Sequence, residues 1–336
     1  MKILIYSSVF YPSLGGIETV VSSLTHEFVF QGHEVKLVTQ VPAPDSKVFP
    51  FEVIRRPSWQ ELLKLTAWCD VYFQICMSLK GIYPLLMIRK PWIVTHQNWY
   101  SRLDRSLGIQ DYLKRFLTHF STNITASLAL AEQLKAPFTV VPNPYREDIF
   151  YEMPEITREK ELVFLGRLVS DKGVDLLLDA LANLKHLGLT PRLTIIGSGP
   201  EEPKLRQQVK QLDIVAQVDF VGVKVENELA QLLNSHKILV VPSRWQEPFG
   251  IVALEGIACG CVVIGSEGGG LQEAIGSCGV TFPNGNVKAL TKALFDLLTN
   301  PNKLSIYREQ VESHLSRHKK TVVAKQYLQI MEKNLQ

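Results

Sequence analysis

Cysteine is scarce: Cys69, Cys76, Cys259, Cys261 and Cys278 are the only five in 336 residues. None forms a Cys-x-x-Cys pair, and no His/Cys/Asp group has metal-ligand spacing, so a zinc module or a disulfide scaffold is excluded. The odd, scattered set suits buried thiols in a reducing compartment. No uninterrupted apolar run approaches the length of a membrane span. The N-terminal apolar run breaks at Ser7, Ser8 and Pro12, too soon for the core of a secretion signal. A cytoplasmic protein is expected. The net charge of +3 is too small to argue for a nucleic-acid partner. Also missing are Gly-x-Ser-x-Gly, a P-loop, and any two aspartates spaced to hold a metal–nucleotide complex. Neither a metal nor a cofactor is expected.

The length argues for two domains. Apolar runs at 2–6, 34–39, 71–75, 92–95, 123–126 and 138–141 read as strands. Helices lie between most of them, the first at 17–31 and stopped by Gly32. A turn cluster, Pro142-Asn143-Pro144-Tyr145, and a charged stretch at 146–160 mark a boundary. Strands at 162–165, 193–196, 218–221, 238–241 and 261–264 then alternate with helices at 173–187, 201–212, 226–234 and 251–258. The last 50 residues are helical in pattern. Such alternation implies an α/β protein with two doubly wound, Rossmann-like domains, each a parallel sheet covered on both faces. The expected division is 1–145, 146–316 and a C-terminal helix at 317–336 that crosses back to the first domain. Ligands in such sheets bind beyond the carboxyl ends of strands, so the glycine-rich loops there are expected to face an interdomain cleft.

The most informative loop holds Glu247 and, eight positions on, Glu255, with Pro248-Phe249-Gly250 between. Glu247 falls in a strand-to-helix loop and Glu255 about two turns into the helix. The helix start offers free N–H groups to hydroxyl and phosphate oxygens. Two carboxylates flanking it can grip polyhydroxyl groups from two sides, as a sugar and a ribose require. In Gly166-Arg167-Leu168-Val169-Ser170-Asp171-Lys172-Gly173, Arg167 and Lys172 put two cations near a helix start, which suits a diphosphate and the charge on a departing nucleotide. Gly15-Gly16 is either a close approach of backbone to phosphate or an ordinary turn. Gly197-Ser198-Gly199-Pro200 lacks the third glycine of a dinucleotide fingerprint. His96, just past a strand, either reaches a reacting sugar or is structural. Gly268-Gly269-Gly270 opens another helix and either lines the cleft or simply turns the chain.

Charge is uneven. The first 145 residues carry 14 Lys/Arg against 10 Asp/Glu, the remainder 22 against 23. The excess lies at 80–115 and includes Lys80, Arg89, Lys90, Arg102, Arg105, Lys114 and Arg115. It reads either as a solvated face or as a patch for an anionic acceptor or a membrane surface. Tyr112, Leu113, Phe116 and Leu117 in the same stretch form either core or an amphipathic face for a lipid-linked acceptor at the inner membrane face.

Taken together, Glu247 and Glu255, Gly166-Arg167…Lys172-Gly173 and Gly15-Gly16-Ile17-Glu18 resemble the motifs of retaining glycosyltransferases of family 4, which have the GT-B fold. The resemblance covers nearly the whole chain and is strongest at 162–283. It implies metal-independent transfer from a nucleotide-diphosphate sugar, a UDP- or GDP-sugar, to a hydroxyl acceptor with retention of configuration. It implies that Arg167 and Lys172 bind the diphosphate and Glu255 the ribose. Glu247, with the backbone of Phe249 and Gly250, would hold the sugar. The N–H groups of Ile251 and Val252 would meet the diphosphate, and Val223 and Lys224 would lie near the base. The loops at Gly15, Gly16, Gly166 and Gly197 would approach the donor, and His96 would sit by the reaction centre. Asn143-Pro144-Tyr145 departs from the family's frequent Asn-Gly, and the first domain is short. A nucleotide-sugar epimerase and a non-catalytic nucleotide-sugar-binding protein are the competing readings.

Overall fold

Thirteen short apolar runs become strands, and every pairing among them is parallel. The computed structural model describes residues 1–13, 15–42, 48–101 and 107–335. The chain divides into two compact units, one of Met1–Tyr145 with Arg317–Gln336, the other of Arg146–Ser316.

The first unit holds β1 (Lys2–Ser7), β2 (Glu34–Thr39), β3 (Glu52–Arg55), β4 (Val71–Ile75), β5 (Trp92–His96), β6 (Thr122–Thr125) and β7 (Phe138–Val140), in the order β3-β2-β1-β4-β5-β6-β7. Strands β1 and β4 are almost wholly enclosed, as near-continuous apolar runs in a parallel sheet must be. Helix Gly16–Phe30 and the C-terminal helix Lys320–Lys333 pack on each other in this unit. Tyr327 of the latter is buried, its hydroxyl 2.8 Å from Thr95 Oγ1 and its ring edge-on to Phe73.

The second unit holds β8 (Lys160–Leu165), β9 (Leu193–Ile196), β10 (Val218–Gly222), β11 (His236–Val241), β12 (Val262–Ser266) and β13 (Gly279–Phe282), in the order β10-β9-β8-β11-β12-β13. Its core joins both β8 and β11 to helices Val174–His186 and Val287–Thr299. Asn286 caps the latter helix by accepting the Ala289 N–H at 3.0 Å. Each order reverses direction beside its first strand, between β1 and β4 and between β8 and β11. Such switch points open a crevice at the carboxyl ends.

Two strands, β3 and β13, are absent from the sequence expectation. Each has four residues, lies at a sheet edge and is only partly buried, so its apolar signal is weak. Helix Ile251–Ala258 starts late enough that Glu255 stands just over one turn into it, not two. Among the described residues no helix is long and apolar enough to cross a membrane.

Candidate functional site

The carboxyl edge of the second sheet is a ledge of five consecutive turns, each tied to the next. Gly197, after β9, donates its N–H to the Gly222 carbonyl after β10 at 2.8 Å. Gly197 has φ 136°, and a Cβ there would land on the carbonyl of Gly166, after β8. The turn after β8 meets the loop after β11 where the Arg244 N–H donates to the Asp171 carbonyl at 2.8 Å. Gly173, at φ 67°, lies against the Pro242 carbonyl with no room for a side chain. The loop after β11 meets the turn after β12 where Gly270 donates to the Glu247 carbonyl at 2.7 Å. Gly197, Gly173 and Gly269 are therefore contact points between backbones, which only glycine permits.

This ledge brings Lys172 and Glu247 together. Lys172 Nζ donates to Glu247 Oε1 at 2.6 Å, and Ser243 Oγ donates to the same oxygen at 2.5 Å. Glu247 is 8% exposed. Two donors on Oε1 offset the cost of burying the charge and fix the carboxylate. Its Oε2 has no hydrogen bond among the described residues, so it is left to accept one from a ligand hydroxyl. Arg167 is exposed and its guanidinium has no hydrogen bond or ion pair among the described residues. Lys172 and Arg167 thus present one anchored and one unanchored cation on a single turn. Sequence reasoning missed Ser243; its position four residues before Glu247, in the same loop, was the available signal.

Gly250, at φ 101°, turns the chain into helix Ile251–Ala258. Phe249 beside it is buried. The N–H groups of Ile251 and Val252, in the first turn, have no partner within the helix and are positioned for anionic oxygens. Glu255 is 9% exposed, and burial pushes its carboxyl up to about 7 while the Arg146 guanidinium pulls it down. Val223 is exposed in the turn after β10. Lys224 is spent on an ion pair with Glu228 one helical turn on.

The remaining residues belong to the first unit. Gly16 begins its first helix, and Gly15 precedes it in extended backbone, φ 172°, where a Cβ would meet only the Glu18 side chain rather than backbone. Leu14 lies outside the described residues. His96 requires a correction. Its side chain is 0% exposed rather than presented to a ligand. The Asn123 amide nitrogen donates to three carbonyls, which turns its Oδ1 toward His96 Nε2 at 3.0 Å. Tyr100 accepts the Met77 N–H, leaving its own proton for His96 Nδ1 at 2.5 Å. The ring is a neutral, fully satisfied Nε2–H tautomer. Burial lowers its pKa to about 4.

The basic stretch is partly visible. Arg102, Asp104 and Arg105 lie outside the described residues. Helix Ile109–Leu117 has no fully buried residue; Leu117 packs against the cluster of Met77, Ile82, Val94, Tyr100 and Leu134, and the rest of its apolar side chains are not core. Ile109, Tyr112, Leu113 and Phe116 are exposed, with Phe120 following.

Comparison with known proteins gives a family and a fold. The family described as glycosyl transferases group 1 matches residues 146–314, half of the chain. Glycogen synthase of Mycobacterium tuberculosis is 36% identical over 147 residues, 43% of this chain and 35% of that protein. Phosphatidyl-myo-inositol mannosyltransferase of Mycobacterium leprae is 27% identical over 241 residues, 70% of this chain and 60% of that protein. The matched region thus spans about a third to three fifths of these relatives. Among solved structures, sucrose-phosphate synthase of Thermosynechococcus elongatus superposes with a TM-score of 0.83 at 19% identity, covering 99% of this chain and 98% of that one. HepE of Anabaena, solved with UDP and glucose, gives 0.81 at 18%, covering 99% and 100%. These likenesses establish the GT-B fold.

Proposed function

The chain belongs to the glycosyl transferases group 1 family, and from that premise we propose that it moves a sugar from a nucleoside-diphosphate donor to a hydroxyl acceptor, with retention and without a metal. The observation that carries this reading is the Lys172–Glu247 pair, 2.6 Å long, on a ledge of backbone turns beside a free cation and a helix start. We assign the diphosphate to Arg167, Lys172 and the Ile251 and Val252 N–H groups. Glu247 Oε2 takes a sugar hydroxyl, and Glu255 takes the ribose. Domain roles follow: the unit Arg146–Ser316 binds the donor and the other unit selects the acceptor.

In the proposed step the bond between the anomeric carbon and the diphosphate oxygen breaks, and its electron pair goes to that oxygen. Arg167 and Lys172 offset the charge developing there. The acceptor oxygen bonds to the anomeric carbon on the same face, and its proton passes to the departing phosphate oxygen. Cationic side chains supply the charge compensation that a divalent ion would otherwise give. The donor class, UDP- or GDP-sugar, has support from HepE, whose structure holds UDP and glucose. Thermal unfolding with UDP, GDP, ADP and their sugars in the presence of EDTA tests donor and metal independence together. A ligand at 100 times its dissociation constant stabilises by about 2.7 kcal/mol. No shift with any of them defeats the reading. Proton NMR of the product's anomeric signal decides retention. Slow release of nucleotide from the donor without acceptor separates an enzyme from a non-catalytic binding protein; no release at all returns the chain to the binding reading, and release with a free, stereochemically altered sugar returns it to the epimerase reading.

A lipid-linked acceptor at an anionic membrane is the second proposal. Its support is the helix Ile109–Leu117, where exposed Ile109, Tyr112 and Phe116 share nine residues with Lys114 and Arg115. Sedimentation with phosphatidylglycerol vesicles at low salt tests it; protein remaining in the supernatant removes it. No disulfide joins the five cysteines and four of them are buried, which supports a cytoplasmic location on the inner face of that membrane.

A further inference from the structure

We infer that Asn284 is a positioning residue of the donor site: its side-chain amide holds the loop after β11 so that Glu247 keeps one carboxylate oxygen for the donor sugar. This rests on the donor reading above and adds a residue that the motifs do not contain. Asn284 belongs to the turn after β13, an edge strand, and only the fold brings it to the Glu247 loop.

One short segment carries the connection. Asn284 Nδ2 donates to two consecutive carbonyls, those of Ser243 at 3.2 Å and Arg244 at 3.3 Å. The N–H groups of Arg244 and Trp245 donate, at 2.8 and 3.3 Å, to the carbonyl of Asp171, next to Lys172. In a trans peptide the Ser243 carbonyl and the Arg244 N–H point in opposite directions. Residues 243–245 are therefore slung between the turn after β8 and the turn after β13. Ser243 is fully buried, and its hydroxyl donates to Glu247 Oε1 at 2.5 Å. What fixes the Ser243 backbone thus fixes the hydroxyl that aims the carboxylate and leaves Oε2 open.

Asn284 is itself held in place. Its turn closes where the Asn286 N–H donates to the Pro283 carbonyl at 3.0 Å, with Gly285 at φ 74°, and Asn286 goes on to cap helix Val287–Thr299. The Asn284 amide lies against Gly268, in the turn after β12: a Cβ on Gly268 would stand 2.5 Å from Nδ2 and 2.9 Å from Oδ1. Gly268 is not among the glycines with positive φ, so its backbone admits alanine. A methyl there would displace the end of a movable side chain, not backbone. The first glycine of Gly268-Gly269-Gly270 is thus the space that the clamp occupies.

Magnitudes separate the site from the fold. Two long bonds from an exposed side chain add little to global stability. The half-exposed Arg244–Asp175 ion pair is a weak substitute for them. A shift of about 1 Å in a group that meets substrate costs up to about a hundredfold in rate.

The test has two arms. Hydrogen–deuterium exchange of peptides spanning 243–247 needs no ligand. Asn284→Ala and Gly268→Ala should each raise exchange there about tenfold, with the melting temperature within about 3 °C of the wild type. The second arm pairs calorimetry of UDP with nucleotide release from UDP-glucose, and GDP with GDP-mannose in a parallel series. In both variants release should fall about tenfold while nucleotide affinity stays within about twofold, since a nucleotide alone does not meet Glu247 Oε2. Asn284→Asp, which sets carboxylate oxygens against both carbonyls, should fall further. The double variant Gly268→Ala/Asn284→Ala should match Asn284→Ala, because no amide is left to displace, and Asn284→Ala should add little in a Ser243→Ala background. Unchanged exchange in both single variants, nucleotide affinity falling in step with release, or a full further loss in the Ser243→Ala background overturns the inference alone. If the wild type binds neither nucleotide, or releases none from either donor, the donor reading falls and the inference with it.

Discussion

The two sheets end in opposite ways. At the carboxyl edge of the first, polar groups satisfy one another. Gln97 donates to Thr95 Oγ1 at 3.0 Å and accepts from Asn143 Nδ2 at 2.7 Å, and His96 is closed between Tyr100 and Asn123. At the same edge of the second, the backbone turns are locked together but the side chains keep open valences: the Arg167 guanidinium, Glu247 Oε2 and the N–H groups at Ile251 and Val252. Among the described residues the first edge ties most of its polar groups to one another, leaving Thr125 Oγ1 and Asn143 Oδ1 without a bond. The second leaves charge and hydrogen-bonding capacity that a diphosphate sugar would complete. Rigid turns beneath unsatisfied groups are what preorganised charge stabilisation requires.

Glycine substitutions break this comparison most strongly. Gly197→Ala places a methyl on the Gly166 carbonyl at φ 136°, and strain plus overpacking should cost about 4 kcal/mol. Gly15→Ala, in extended backbone, meets only the Glu18 carboxylate, 2.6 Å away on a side chain that can move; its cost should be below about 0.5 kcal/mol. Denaturant midpoints of the two variants check this. Equal losses would mean that the second ledge is no more tightly built than the first turn.

Next in size is the effect on turnover. Lys172→Ala and Glu247→Ala should each raise the barrier by about 3 kcal/mol, a hundredfold or more in kcat, with circular dichroism unchanged. The double variant should lose less than the product of the single losses, because the two side chains share one hydrogen bond. Near-wild-type turnover in either single variant would remove that residue from the chemistry. Full multiplicative loss in the double variant would show that the pair works independently.

Much of the second unit's ledge was legible because its parts are local. A strand, a tight turn and a helix start are written in residues that lie side by side, as at Gly166 to Gly173 and Glu247 to Ile251. The missing parts are those that the fold alone brings together. Ser243 lies in the same loop as Glu247, but its bond to the carboxylate cannot be read from the sequence. In the first unit, His96 was placed at the right strand end, yet its chemistry depends on Asn123 and Tyr100. Those come from β6 and from the loop after β5, and a sequence does not show that they close around it. The helix Ile109–Leu117 was equally open to two readings, since one amphipathic pattern serves core and exposed surface alike; only burial separates them.

The smallest effect contrasts the buried titrating groups of the two units. Glu255 is raised to about 7, from an ordinary 4.5, so the folded chain holds a proton that the unfolded chain has released between those values. Its burden on stability is therefore absent below about pH 4.5, grows as pH rises, and is complete above about 7. Glu255→Gln should stabilise the protein by on the order of 2–3 kcal/mol at pH 8 and by nothing measurable at pH 4. His96 has the opposite sign. Its pKa is lowered to about 4 from 6.5, so stability is lost as pH falls between these values, where the unfolded chain takes up the proton first. His236, buried in the second unit and also lowered to about 4, adds to that acid loss. Urea unfolding at pH 4.5, 6 and 8 separates the terms: Glu255→Gln should gain most at pH 8, and the wild type should weaken from pH 6.5 downward. An equal gain in Glu255→Gln at all three values would mean that the carboxyl is not held protonated by its burial, and the contrast between a ligand-ready second edge and a self-satisfied first would lose its electrostatic basis.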